Sequence, residues 1–63
     1  MNEEQKTIED AYQSAVGRLY ETLIQQLTDA AESIDLQNEA ETHFTAGLQI
    51  ARRARDRALV LIQ

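Results

Sequence analysis

Cysteine and proline are both absent from this sequence, and each absence narrows the possible structures. Without cysteine, the fold cannot depend on the disulfides that stabilise many small domains. Without proline, no residue breaks a helix by removing a backbone N–H donor. No apolar run approaches the ~18 residues that a membrane-spanning helix needs, so we expect a soluble cytoplasmic protein with no membrane partner.

Motifs that indicate catalysis are absent as well. The chain has one histidine, two tyrosines and one phenylalanine, and it contains neither a G-x-S-x-G nucleophile motif nor a G-x-x-x-x-G-K phosphate loop. A single histidine leaves few general acid–base arrangements. We therefore expect no enzymatic activity, no cofactor and no bound metal.

Basic residues are few and unevenly placed in this acidic chain of 63 residues, whose formal net charge is −5. Residues 1–35 hold eight of the eleven acidic side chains, whereas four of the six bases lie between Arg52 and Arg57. Net acidity argues against non-specific binding to nucleic acids or anionic membranes, which requires a positive surface field. A local basic site remains possible.

Apolar residues recur at about 3.7-residue intervals through the first half of the chain, which is close to the α-helical period. They are Ile8, Tyr12, Val16, Leu19, Leu23, Leu27, Ala30 and Ile34. Asn2 with Gln5 resembles a capping box. We predict a first helix from about residue 3 to about residue 33.

The second half carries a seam of mostly small residues with alternating steps of three and four. The seam consists of Leu36, Ala40, Phe44, Gly47, Ala51, Ala54, Ala58 and Leu61. It predicts a second helix over about residues 36–62, and Ser33 and Asp35 are good N-caps at the break. We expect one helical-hairpin domain over residues 1–63, although a single helix of about 60 residues in a long coiled coil remains an alternative.

The two apolar stripes exceed what one hairpin buries, since a chain this short buries only about 60% of its unfolded surface. Gly17 and Gly47 inside the predicted helices indicate close backbone approach on two different edges. We predict an all-α fold in which antiparallel hairpins form a homodimeric four-helix bundle. The predicted core and dimer residues are Tyr12, Val16, Leu19, Tyr20, Leu23, Leu27, Phe44, Gly47, Leu48, Ala51, Ala54 and Ala58.

The arginine cluster is the strongest candidate for a binding site. Four guanidinium groups, on Arg52, Arg53, Arg55 and Arg57, could hold phosphates or an acidic peptide. Helical geometry spreads them around the axis, and Asp56 has the spacing to pair with Arg52 and Arg53. We favour a solvated helix end near the acidic residues 3–10, with phosphate or nucleic-acid contact as the alternative.

His43 and the aromatic residues can each be interpreted as structural or as functional. Glu39 precedes His43 by four residues, a spacing that could place two ligands on one metal, but the Glu-x-x-His pattern of di-iron bundles is absent. Tyr12, Tyr20 and Phe44 could stack on bases. Their core spacing favours packing instead.

The chain length, the two near-equal helices, the turn at Ser33–Asp35 and the small-residue seam together resemble the Rop family. The seam residues that carry this resemblance are Ala40, Gly47, Ala51, Ala54 and Ala58. The resemblance implies an antiparallel dimeric four-helix bundle. That family binds paired RNA loops through basic and amide residues around a phenylalanine of its first helix, whereas the first helix here has no phenylalanine and is strongly acidic.

The sequence therefore predicts a small non-enzymatic interaction or regulatory module, with an unidentified protein as a possible further partner. A nucleic-acid or phosphate-binding regulator that uses residues 52–57 is the alternative.

Overall fold

The protein folds as two antiparallel α-helices joined by a short turn. The computed structural model describes residues 2–63, and in this range it has helix α1 (Glu3–Ala30), helix α2 (Ile34–Leu61) and no strand. Each helix has 28 residues, which corresponds to about 42 Å of length. The Cα atoms extend over 47 × 15 × 9 Å, so the helices lie side by side. The predicted all-α helical hairpin is confirmed, and the alternative of one uninterrupted helix is wrong.

Helix α1 begins at the predicted cap. The extended backbone of Asn2 lets its side-chain oxygen accept a hydrogen bond from the Gln5 N–H at 2.6 Å. This bond satisfies one of the free amides of the first turn. Glu3 and Glu4 also lie in this turn, where negative charge complements the helix dipole.

Helix α1 ends at Ala30, earlier than the expected residue 33, because Ala31 leaves the helical conformation. Its φ of 51° and ψ of −114° match the first central position of a type II′ turn. The Ser33 N–H donates to the Ala30 carbonyl at 2.9 Å and closes this turn. The Gln37 side-chain amide donates to the Ala31 carbonyl at 2.7 Å, which satisfies a polar group at the helix end.

Helix α2 begins at Ile34, two residues before the expected Leu36, because Ser33 is its N-cap. The Ser33 hydroxyl accepts a hydrogen bond from the Leu36 N–H at 3.3 Å. Asp35, the other predicted cap, lies inside the first turn, where its charge complements the helix dipole. Helix α2 ends at Leu61, one residue before the predicted Ile62.

The two helices approach closely at Gly47. A Cβ atom placed there would lie 2.5 Å from Cδ2 of Leu19, so only a glycine accommodates this leucine in its present position. Gly17 differs, because a Cβ atom there would meet nothing within 4 Å. Gly47 therefore marks the contact between the helices, whereas Gly17 marks no contact within the hairpin.

The interior of the hairpin is small. Among the described residues only Ala30 and Ala40 are buried, and no polar or charged side chain is. Every large apolar side chain within residues 2–63 therefore keeps part of its surface in contact with water. Over residues 2–63, no helical stretch combines the length and the hydropathy of a bilayer-crossing segment.

Candidate interaction surfaces

The arginine cluster does not converge on one point. The Arg55 guanidinium carbon lies 4.4 Å from the centroid of the Tyr12 ring, and its Nε donates to the Asp56 carboxylate at 3.0 Å. The predicted pairing of Asp56 with Arg52 and Arg53 is therefore wrong. Arg55 is the arginine that pairs with Asp56. Its side chain is 30% exposed and packs on Tyr12 of α1. The other three arginines of residues 52–57 are exposed.

The acidic start of α1 lies near the arginine-bearing end of α2, as the contact between Tyr12 and Arg55 shows. Within residues 2–63, however, neither ion pair joins the two helices. Lys6 pairs with Asp10 at 2.8 Å within α1, and Arg55 pairs with Asp56 within α2. The hydrogen bond from Lys6 to Asp10 raises the pKa of this exposed lysine above its ordinary value. The electrostatic link between the helices at this end is thus a cation–π contact.

His43 takes part in a polar bridge between the helices. Its Nδ1 lies 3.3 Å from the side-chain nitrogen of Gln26, and the imidazole is exposed. Glu39 and Asp29 line the same hollow near the turn. Nevertheless, the part of the chain that the structure describes contains no group of three or more side chains suited to hold a metal.

The predicted core residues fall into two groups by exposure. Tyr20 is 57% exposed and Leu27 is 37% exposed, and Ala54 is exposed as well. The others are half-buried: Tyr12, Val16, Leu19, Leu23, Phe44, Gly47, Leu48, Ala51 and Ala58. The hairpin alone buries none of them completely.

One broad side of the hairpin carries a shallow channel, here called the alanine groove. Its lining comprises Ile8, Ala11, Tyr12, Ala15, Ala51, Ala54, Arg55 and Ala58. From Ala15 and Ala51 it continues past Gly47 and the exposed Ile50. The small side chains keep the floor of this groove low.

The opposite side carries larger side chains. Leu19 and Gly47 lie at the contact between the two helices. Because successive residues turn by about 100° around a helix, residues on one side of these positions line the groove, and residues on the other side lie on the opposite face of the hairpin. This set is here called the bulky face: Val16, Tyr20, Leu23, Ile24, Leu27, Leu48 and Leu59. Ile24 is 47% exposed, so the bulky face presents substantial apolar surface to water.

Two features of these surfaces escaped the sequence analysis. The bridge between Gln26 and His43 joins polar residues, which leave no trace in an apolar period. The stacking of Arg55 on Tyr12 depends on a side-chain direction that the arginine spacing alone does not specify. Only the spacing of Arg55, four residues after Ala51 and three before Ala58 of the small-residue seam, could have indicated it.

Comparison with models of protein families, with curated proteins and with solved structures found no match to this chain. The assignment of a function therefore rests on the hairpin itself.

Proposed function

We propose that this chain is a non-enzymatic interaction or regulatory module that works as a homodimeric four-helix bundle. The observation that supports this proposal most strongly is the burial pattern: among the described residues only two alanines are buried. Domains are normally built from at least two layers around one core. A hairpin whose Cα atoms extend over only 9 Å in the thinnest direction is a single layer and has no such core.

The exposed area supports the same proposal. The hairpin exposes 4959 Å², whereas a compact monomer of 7.1 kDa exposes roughly 4,100 Å². The excess of roughly 900 Å² is close to the area of about 800 Å² that each partner covers in a standard interface. One second copy thus suffices to cover the surplus.

The hairpin alone buries too little apolar surface to offset the entropy cost of folding. A side chain such as Leu or Ile contributes about 1.5–3 kcal/mol when it is fully buried, and much of that contribution is missing while the side chain stays half-exposed. Ordering each residue costs about 1.5 kcal/mol, so a chain of this size has little stability to lose. A second hairpin packed on the first recovers the missing burial.

The arginine cluster favours this proposal over the nucleic-acid alternative. Arg55 is held by Tyr12 and Asp56, and Arg52 is turned by about 100° from Arg53. Of the exposed arginines, only Arg53 and Arg57, four residues apart, share a face of α2. A module of this kind would act through the surface that the bundle leaves exposed, with a further protein as its partner in the cytoplasm.

Sedimentation equilibrium tests the proposal. We expect a folded species with about twice the 7.1 kDa chain mass at micromolar concentration. Circular dichroism on the same samples should report a fully helical chain. A helical monomer that persists at all concentrations would contradict the proposal.

A further inference from the structure

We infer that the second copy packs on the bulky face and leaves the alanine groove open. This inference rests on the proposed homodimer and specifies which of the two sides the copies share. The excess exposed area corresponds to one interface, not two, so only one side needs to be covered.

Charge distinguishes the centres of the two sides. Of the residues between Val16 and Leu27, only Arg18 and Glu21 are charged, and helical rotation turns both away from the bulky face. Gly47 lies against Leu19, so residues 16–22 face about residues 44–50 of α2, and this stretch of α2 contains no charged residue. Glu41 and Arg52, seven residues before and four after Leu48, lie toward the two ends of the bulky face. The centre of the bulky face is therefore apolar, as the core of an interface between subunits normally is.

The alanine groove has a different character. Arg18 lines it near the middle, and Asp29 and Glu39 line the separate hollow near the turn. Two copies placed groove to groove in opposite directions could form ion pairs between these groups. Exposed ion pairs contribute far less than the burial of several large apolar side chains, so the bulky face is the better interface.

Symmetry supports the same arrangement. The bulky face extends from Leu59 near one end of the hairpin, past Tyr20 and Leu48 near the middle, to Leu27 near the turn. A two-fold axis through the middle places this patch on its own copy and closes the assembly as a dimer. Packing the bulky face on the groove of the next copy would instead leave the assembly open-ended.

Two exposed isoleucines on opposite sides provide a matched test. Ile24 lies on the bulky face and is 47% exposed, whereas Ile50 borders the alanine groove and is 63% exposed. By sedimentation velocity, Ile24→Lys should raise the dimer dissociation constant about 30-fold or more. Ile50→Lys should change it less than about threefold. The reverse order, or equal effects, would overturn the inference.

The outcomes separate the face from the homodimer itself. If Ile50→Lys dissociates the protein and Ile24→Lys does not, the copies pack through the groove, so the dimer stands and the face is wrong. If the unaltered protein is a monomer at every concentration, the proposed function fails, and this inference fails with it. If the unaltered protein forms polymers without limit, a closed bulky-face dimer is excluded.

Cysteine variants give a second readout that does not depend on the stability of the lysine variants. Because the chain has no native cysteine, single substitutions carry a unique thiol. A short bifunctional thiol reagent should join two copies of Tyr20→Cys, which lies on the bulky face near the middle of α1. It should not join two copies of Ile50→Cys. Efficient cross-linking of Ile50→Cys alone would overturn the inference.

Discussion

The two glycines of this chain allow a sharp test of how the helices pack. Both lie inside helices, but a Cβ atom at Gly47 meets Cδ2 of Leu19 at 2.5 Å, whereas one at Gly17 meets open space. The same substitution, glycine to alanine, should therefore stabilise the protein at Gly17 and be neutral or destabilising at Gly47. Gly17→Ala is the matched control for Gly47→Ala.

The magnitudes follow from two opposing effects. Alanine is favoured over glycine in a helix interior by about 1 kcal/mol, so Gly17→Ala should raise the free energy of unfolding by about that amount. Gly47→Ala gains the same contribution, but it forces the Leu19 methyl to move by about 1 Å to reach ordinary carbon–carbon separation. Overpacking of this kind costs about 1–3 kcal/mol. The two variants should thus differ by about 1–3 kcal/mol, with Gly47→Ala the less stable.

Urea unfolding followed by circular dichroism, at one fixed protein concentration, measures both values. A double-mutant cycle adds a control, because Leu19→Ala removes the methyl groups that oppose the new Cβ atom. In that background Gly47→Ala should stabilise the protein about as much as Gly17→Ala does. If Gly47→Ala alone stabilises as much as Gly17→Ala, the helices do not approach at Gly47 and the packing described here is wrong.

Three further predictions concern the turn, the cap and the arginines. Ala31→Gly should stabilise the protein by about 1 kcal/mol, because glycine adopts the positive φ of this turn without strain. The control Ala46→Gly inside α2 should cost about 1 kcal/mol. Destabilisation by Ala31→Gly in thermal unfolding would refute the turn geometry. Ser33→Ala should lower the free energy of unfolding by about 1 kcal/mol, because it removes the N-cap of α2. The control Ser14→Ala inside α1 should raise it slightly. Equal effects of the two variants in urea unfolding would mean that the cap contributes nothing. RNA and DNA should show no measurable binding by fluorescence anisotropy at ~50 mM salt; binding that weakens steeply with added salt would favour the phosphate-binding alternative for residues 52–57.

Local signals in the sequence were sufficient to predict the hairpin. Asn2 and Ser33 have the short polar side chains that cap helices, and both act as caps in the structure. Gly47 belongs to the seam of small residues, and it lies where the helices touch. These features depend on residues close in sequence or on one regular period, so they can be predicted from the sequence alone.

The position of the turn was harder to predict. Ala31 adopts a positive φ that usually favours glycine, and the sequence has neither glycine nor proline there to indicate it. The sequence analysis therefore extended α1 by three residues. The direction of Arg55 was missed for a related reason, since its contact with Tyr12 depends on the packing of two distant segments.

The exposed apolar side chains link the sequence to the proposed assembly. Tyr20, Ile24 and Leu27 belong to the stripe that predicts α1 or lie beside it, yet the hairpin leaves all three exposed. An apolar period predicts that a residue will be buried but does not specify by which neighbour. The mass of the folded species in solution therefore distinguishes a second copy from another protein as that neighbour.

The dependence of thermal stability on protein concentration tests the central claim most directly, because association stabilises only a protein whose folded state associates. For a coupled folding and dimerisation equilibrium, a hundredfold increase in concentration should raise the melting temperature by roughly 10 °C. Circular dichroism melts across that range give the answer. A cooperative transition at the same temperature throughout, from a helical monomer, would contradict the account.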